Sequence, residues 1–211
     1  NVIGGSSTNH VDSGVTGATI AGGGSIEDGD GIFYYANLIR SGANHAVISG
    51  GKNNTILTNS SSATISGGSH NSILDSSWYA VVGGGSGNDI EISSTYATIA
   101  GGSGNTVSTN GDYGAIGGGR NNRIGTNTTY AMIPGGQNNT AVGDYSLAAG
   151  RRAKAVNAGA FVWADSQNSD YSSTTDDSFN VRAHGGVNVN ASSGTVAFSA
   201  GNFTLNGSAV L

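Results

Sequence analysis

The chain of 211 residues has no cysteine, one proline and one methionine, and only 10% of its residues are charged. Without cysteine there is neither a disulfide framework nor a zinc–thiolate centre. The charge fraction is far below the roughly 25% of an ordinary soluble domain. Eight basic residues against 13 acidic ones give a formal net charge of −5, which excludes the basic footprint a general nucleic-acid binder needs to displace counterions. No apolar run reaches the length of a membrane-spanning helix, and no cleavable leader is recognisable. The first residue is Asn, which fits a segment of a longer chain. What the chain has in quantity is glycine, 37 residues of it, together with Ser, Thr and Asn. Such a composition suits a disordered linker unless an apolar pattern runs through it, because a disordered chain has nothing to bury.

A strict pattern does run through it. Asn54, Asn71, Asn88, Asn105, Asn122 and Asn139 recur at every seventeenth position. In phase with them run Ile48, Ile65, Val82, Ile99, Ile116 and Ile133, and glycine pairs such as Gly67-Gly68 and Gly84-Gly85. A second apolar column, Ile56, Ile73, Ile90, Val107, Ile124 and Ala141, follows each Asn by two. A tyrosine precedes the first apolar segment at Tyr79, Tyr96, Tyr113 and Tyr130.

Within one repeat the alternation has period two: Ala63 and Ile65 inward with Thr64 outward, then Asn71 and Ile73 inward with Ser72 outward. Strands this short, broken by Gly-Gly corners, predict one coil of a parallel β-solenoid per repeat. An inward Asn at each corner is expected to bond backbone groups and its counterpart one coil away. The fold class is therefore all-β.

The regular array is expected to span residues 1–164 in nine or ten coils, a rod of roughly 45 Å at ~4.8 Å per coil. The spacing from Ile20 to Ile48 is 28, so an insertion falls within residues 25–45. Near the far end the period shortens to 15 and then 14. Residues 165–211 leave the repeat and read as longer strands, a C-terminal β-rich foot. Phe161, Val162 and Trp163 are expected to plug the open end of the core. Each coil buries few side chains, so side-by-side association around a cyclic axis is the economical way to cover a flat apolar face.

The stretch "YAMIPGGQNNTAVGDYSLAAGRRAKAVNAGAFVWADS" (130–166) resembles the head repeats of trimeric autotransporter adhesins, the YadA-like left-handed parallel β-roll. The 17-residue coils with "GGxxN" are similar to repeats of trimeric bacterial and phage fibres. "SFNVRAHGGVNVN" (178–190) is similar to the stretch preceding an endosialidase-type intramolecular chaperone. The resemblance implies a left-handed β-roll with 14–17-residue coils, a homotrimer with a C-terminal trimerising segment, and an adhesin or fibre tip. It also implies a place on a cell surface, outside the cell or on a virion. The implied partners are the chain itself and a cell-surface glycan, or alternatively a matrix protein. No cofactor, no nucleic acid and no membrane insertion by this segment are expected.

Loops on rigid scaffolds carry function more often than the scaffold does. The insertion combines Glu27, Asp28 and Asp30 with Phe33, Tyr34, Tyr35 and Arg40. Aromatic rings beside carboxylates can stack on sugar faces and bond their hydroxyls, so these seven are the candidate ligand residues. The plain alternative is that they pack the loop onto the solenoid. The fragment "EDGDG" lacks the alternating oxygens and final Glu of a calcium loop. Arg120, Arg123, Arg151, Arg152 and Lys154 are the one basic concentration. They form either a collar for an anionic polymer or, as the favoured reading, interchain ion pairs to groups such as Asp144 or Asp165.

Four histidines, His10, His45, His70 and His184, show no metal-ligand spacing. A tailspike-like glycan depolymerase needs two carboxylates flanking a sugar, but Asp75, Asp89, Asp112 and Asp144 fall at different phases of the repeat. Only Asp89 with Glu91, and the acids of the insertion, cluster. A non-enzymatic role is expected, with the depolymerase and a purely structural fibre segment as alternatives. An ice-binding threonine array is excluded, because the outward column reads Val47, Thr64, Val81, Thr98, Ala115, Met132.

Overall fold

The computed structural model describes residues 1–25, 35–190 and 192–193. Among them every regular element is a strand, most only two residues long. Each coil supplies one strand to each of two parallel sheets, one 12-stranded and one 10-stranded. The first sheet runs through Val47–Ile48, Thr64–Ile65, Val81–Val82, Thr98–Ile99, Ala115–Ile116 and Met132–Ile133. The second runs through Thr55–Ile56, Ser72–Ile73, Asp89–Ile90, Thr106–Val107 and Arg123–Ile124. Isolated parallel bridges from Lys52 through Ser69, Ser86, Ser103 and Arg120 to Gln137 mark a third side. The chain is a parallel β-solenoid of about 10 turns.

The register follows the repeat. Thr64 faces Val81 and Ser72 faces Asp89, each one repeat further on. Across the insertion the offset grows to 28, Thr19 facing Val47 and His10 facing Leu38, yet the pairing is kept. Tyr35 N–H donates to the Ser25 carbonyl at 3.1 Å and closes the base of that insertion. Toward the far end the offset contracts to 14 where Leu147 faces Phe161.

In the regular middle coils the inward side carries one Ala, one Asn and two β-branched residues, as the alternation predicts. Ile65, Ile73, Ile99, Ile116, Ile124, Ala63 and Asn71 have almost no exposed surface. Full burial of an Ile is worth about 1.5–3 kcal/mol, so the ladder of two such residues per coil carries most of the apolar stabilisation.

Asparagine solves the corner. Asn88 Oδ1 accepts the backbone N–H of Asn105 at 3.1 Å. The Asn88 amide nitrogen donates to the carbonyls of Gly84 at 2.9 Å and of Gly102 at 3.0 Å. The relay begins at Asn9 and ends where Ala153 N–H donates to Asn139 Oδ1. A second buried ladder was not foreseen: Ser60 Oγ accepts the N–H of Ser77, and Ser77 Oγ accepts that of Ser94.

In each glycine pair the second residue is the constrained one. Gly85, at φ +91°, would place a Cβ 2.1 Å from the carbonyl oxygen of Gly102. The first glycine of the pair at Gly101 has nothing within 4 Å of such a Cβ.

The far end departs from expectation in two respects. The parallel pairing continues beyond residue 164: Phe161–Ala164 pairs with Phe179–Arg182, and Ala153–Ala155 with Tyr171–Ser172. The alternation of Phe179 and Val181 therefore belongs to a further rung, with an offset of 18 from Phe161 to Phe179. Nor do Phe161, Val162 and Trp163 plug the core together. Strand alternation sends Val162 and Ala164 inward and leaves Phe161 and Trp163 outside, Phe161 stacked on Phe179 with centroids 4.7 Å apart. The expected foot beyond residue 193 lies outside the described residues.

Candidate functional site

Of the seven insertion residues, Glu27, Asp28, Asp30, Phe33 and Tyr34 lie outside the described residues. Tyr35 sits at the base of the insertion, edge-on to His70 with centroids 5.9 Å apart, and Lys52 Nζ lies 4.8 Å from its ring centroid. Arg40 follows the strand Leu38–Ile39 and reaches back one coil, its Nη1 3.4 Å from Asp12 Oδ1. Asp12 also accepts the Ser41 N–H at 3.0 Å. Partial desolvation pushes the Asp12 carboxyl up, but the Ser41 bonds and the Arg40 charge outweigh it and hold its pKa below the ordinary value. Arg40 thus ties two coils together.

Four of the basic residues fall in two columns, one on the third side and one on the second sheet. Arg120 and Arg151 each face Gln137, from opposite sides, and Arg123 and Lys154 likewise flank Thr140. Within the chain Asp170 lies 2.7 Å from Arg152 Nε and 4.0 Å from Lys154 Nζ. Lys154 also donates to the Asn138 carbonyl at 2.8 Å and to Thr140 Oγ1 at 3.1 Å, and desolvation lowers its pKa. Arg123 Nε donates to Ser108 Oγ at 2.8 Å. Arg151 donates to the Ser166 carbonyl and to Asn168, both at 3.0 Å, while its Nε is buried without a hydrogen-bond partner. Beside it a groove of about 420 Å³ is lined by Gly150, Arg151, Trp163, Ala164, Asp165 and Ser166. Most of this collar is committed within the chain.

The acids behave as corner clamps. Asp75, Asp112 and Asp144 accept the backbone N–H groups of Thr58, Thr95 and Thr129, each on the preceding coil, at 2.7–2.9 Å. Asp165 accepts the His184 N–H at 2.7 Å and Arg182 Nε at 2.9 Å. Glu91 binds the N–H and hydroxyl of Thr109, and Asp89 takes the hydroxyl of Ser72. Asp89 and Glu91 alternate with inward Ile90, so they lie side by side on one outer face of the rod. Desolvation raises the Asp89 pKa, the Ser72 bond opposes it, and the Glu91 charge adds to the rise.

No group of three or more His, Asp or Glu side chains suited to a metal ion occurs among the described residues. His10 lies 3.3 Å from Asp12 and His70 bonds Ser69, so two of the four histidines have local partners.

The largest outward aromatic feature is visible in the sequence only as a spacing. Tyr79, Tyr96, Tyr113, Tyr130 and Tyr145 stack face to face along one corner, with centroids 4.8–5.2 Å apart and rings within 11° of parallel. All five have φ between +56° and +59°, the left-handed conformation the corner demands. Trp78 stands exposed at the foot of this stack. The regular recurrence of Tyr was the signal for it, and it became meaningful only with the rungs one strand spacing apart.

Compared with known protein families and curated proteins, the chain matches no family model and no curated sequence.

Proposed function

We propose that the chain is a non-enzymatic segment of a homotrimeric surface fibre, an adhesin or fibre tip that binds glycans through a rigid left-handed β-roll. The observation that carries this reading is the outward column of the first sheet. It alternates Val47, Thr64, Val81 and Thr98, then runs through Ala115, Met132, Leu147, Phe161 and Phe179, so it grows more apolar along the rod. Met132 is 45% exposed and Phe179 75% exposed in the single chain. The unbroken apolar stretch from Met132 to Phe179 is a cost in water and a ready contact between copies. A three-fold axis parallel to the rod covers it on every copy without creating open ends.

The resemblance of residues 130–166 to YadA-like heads supports the same assembly and the left-handed coil. Three identical copies would multiply weak glycan affinities. The non-enzymatic reading is supported by the clamping acids, which are spent on backbone N–H groups instead of facing one another across a cleft. A surface or virion location accords with a cysteine-free, weakly charged rod.

The test is a glycan array probed with the assembled protein, beside Tyr34→Ala and Tyr35→Ala variants. Binding that either variant weakens assigns the insertion a ligand role. Silence across the array removes the glycan reading. Release of new reducing ends from a purified polysaccharide replaces it with the depolymerase.

A further inference from the structure

The far rungs of the first sheet carry a recess to one side of the apolar strip. The strands Leu147–Arg151 and Phe161–Ala164 are longer than the two-residue strands of the regular coils. Leu147 and Phe161 belong to the strip. Arg151 and Asp165 stand four residues further along the chain, roughly 13 Å away at ~3.3 Å per residue. The groove of about 420 Å³ that Arg151, Trp163, Asp165 and Ser166 line therefore opens beside the strip. Its volume falls in the range of clefts that hold small ligands.

Its two charged residues are not equally engaged. Asp165 is saturated. Its Oδ1 accepts Arg182 Nε at 2.9 Å and the Gln167 N–H at 3.3 Å, and its Oδ2 accepts the His184 N–H at 2.7 Å and Gln167 Nε2 at 3.2 Å. Arg182 meets its charge. Arg151, by contrast, has no carboxylate within 4.0 Å among the described residues, whereas Arg152 and Lys154 share Asp170. Two of the five guanidinium N–H groups go to uncharged acceptors, the Ser166 carbonyl and Asn168 Oδ1, both at 3.0 Å. The Nε is buried with no acceptor at all. Arg151 is half-buried, so a cation partly withdrawn from water borders the groove without a counter-ion.

The Ser166 hydroxyl and the Trp163 indole N–H also take no partner among the described residues. The unspent groups of the groove can thus all donate, and they surround one uncompensated positive charge. Such a set favours an anion with acceptor oxygens, through charge-assisted hydrogen bonds. Trp163, 37% exposed, adds an apolar plane for the C–H face of a ring.

We propose that this groove binds a carboxylate-bearing sugar residue of a surface glycan, the carboxylate on Arg151 and Ser166 and the ring against Trp163. The site rests on the glycan-binding reading above and lies at the far end of the rod, apart from the insertion.

Trp78 and Trp163 are the two tryptophans of the chain, so a Trp78→Phe variant leaves Trp163 as the sole indole reporter. Its fluorescence is followed in the assembled protein during titration with trigalacturonate and with the methyl ester of the same trisaccharide, in which the carboxylates carry no charge. Sialyllactose and lactose form a second pair, and acrylamide measures access to the indole. The expected result is an accessible Trp163, a saturable shift with at least one acid, and binding about tenfold or more weaker for its neutral counterpart. Arg151→Gln should weaken the acid about tenfold or more. Arg152→Gln removes the same charge one residue away, from a side chain already paired with Asp170, and should cost less than about threefold.

Equal affinity for an acid and its neutral counterpart overturns the site and leaves the glycan reading standing. So do equal losses in Arg151→Gln and Arg152→Gln, binding to neutral glycans alone, or binding that leaves Trp163 unchanged. A Trp163 closed to acrylamide in the assembly also overturns it. Should Arg151→Gln fail to assemble, the acid against its ester decides the matter alone. Failure of every glycan, neutral or acidic, sinks both.

Discussion

Asn88 Oδ1 accepts the backbone N–H of Asn105 one coil further along, and Asn105 repeats the bond with Asn122 at 3.0 Å. Each Asn in the line is at once acceptor for the next coil and donor to two glycine carbonyls, Gly101 and Gly119 in the case of Asn105. Asn105→Ala therefore strands the Asn122 N–H and the Gly101 carbonyl, while the Gly119 carbonyl keeps the Ser103 N–H at 2.9 Å. With about 1–3 kcal/mol for each buried unsatisfied group, the loss is several kcal/mol. Urea unfolding should show it, while Ser86→Ala, exposed and outside the left-handed region, stays within about 0.5 kcal/mol.

The glycine pair makes a sharper test because its members differ. Gly102 has φ +91°, and a Cβ there would lie 2.1 Å from the Gly119 carbonyl oxygen. Backbone cannot yield that distance without breaking the rung, so Gly102→Ala should cost about 3 kcal/mol or more, or prevent folding. Gly101→Ala meets nothing within 4 Å and should be nearly silent. Thermal melts of the two variants decide it, and equal effects would contradict the corner geometry.

Tyr113 sets two effects against each other. It stacks on both Tyr96 and Tyr130, at about 0.5–1.5 kcal/mol per aromatic pair. Its φ of +56° costs a non-glycine residue roughly 1–2 kcal/mol. Tyr113→Ala loses the stacking and keeps the strain, for a loss of about 1–3 kcal/mol. Tyr113→Gly loses both, and the two nearly cancel. Denaturant midpoints should place the Gly variant above the Ala variant.

The acid limb of stability runs through Asp165. The His184 N–H, then Arg182 and the Gln167 N–H, hold its pKa down to about 2. That lies below the ordinary carboxylate value of about 3.9. A depressed folded-state value means the stabilisation is complete above about pH 4 and disappears as the pH falls through about 2. Amide exchange at Val181 and His184 should accelerate across that window, and Asp165→Asn should flatten the response.

Much of this architecture was written in the spacing of small residues. The regular recurrence of Asn and Ile named the inward columns, because period-two alternation and a constant offset leave one register. The rungs beyond residue 164 were hidden, since an offset of 18 at Phe161 and Phe179 breaks the sequence period without breaking the pairing. The serine ladder was hidden because Ser60, Ser77 and Ser94 sit in a segment whose polar composition reads as an exposed corner. The partner of Arg152 and Lys154 within the chain was hidden for a similar reason. Asp170 lies a full coil beyond Arg152, past the point where the contracted spacing marks an end to the array. The tyrosines were visible as letters, but their stacking needed the coils to be in place.

The fibre account depends on three copies sharing the apolar column of the first sheet. Sedimentation equilibrium of the purified chain measures this most directly. The account predicts a single species of three times the 20.8 kDa of one chain, with Met132→Lys shifting the protein toward monomer. A single species of 20.8 kDa at micromolar concentration would contradict it.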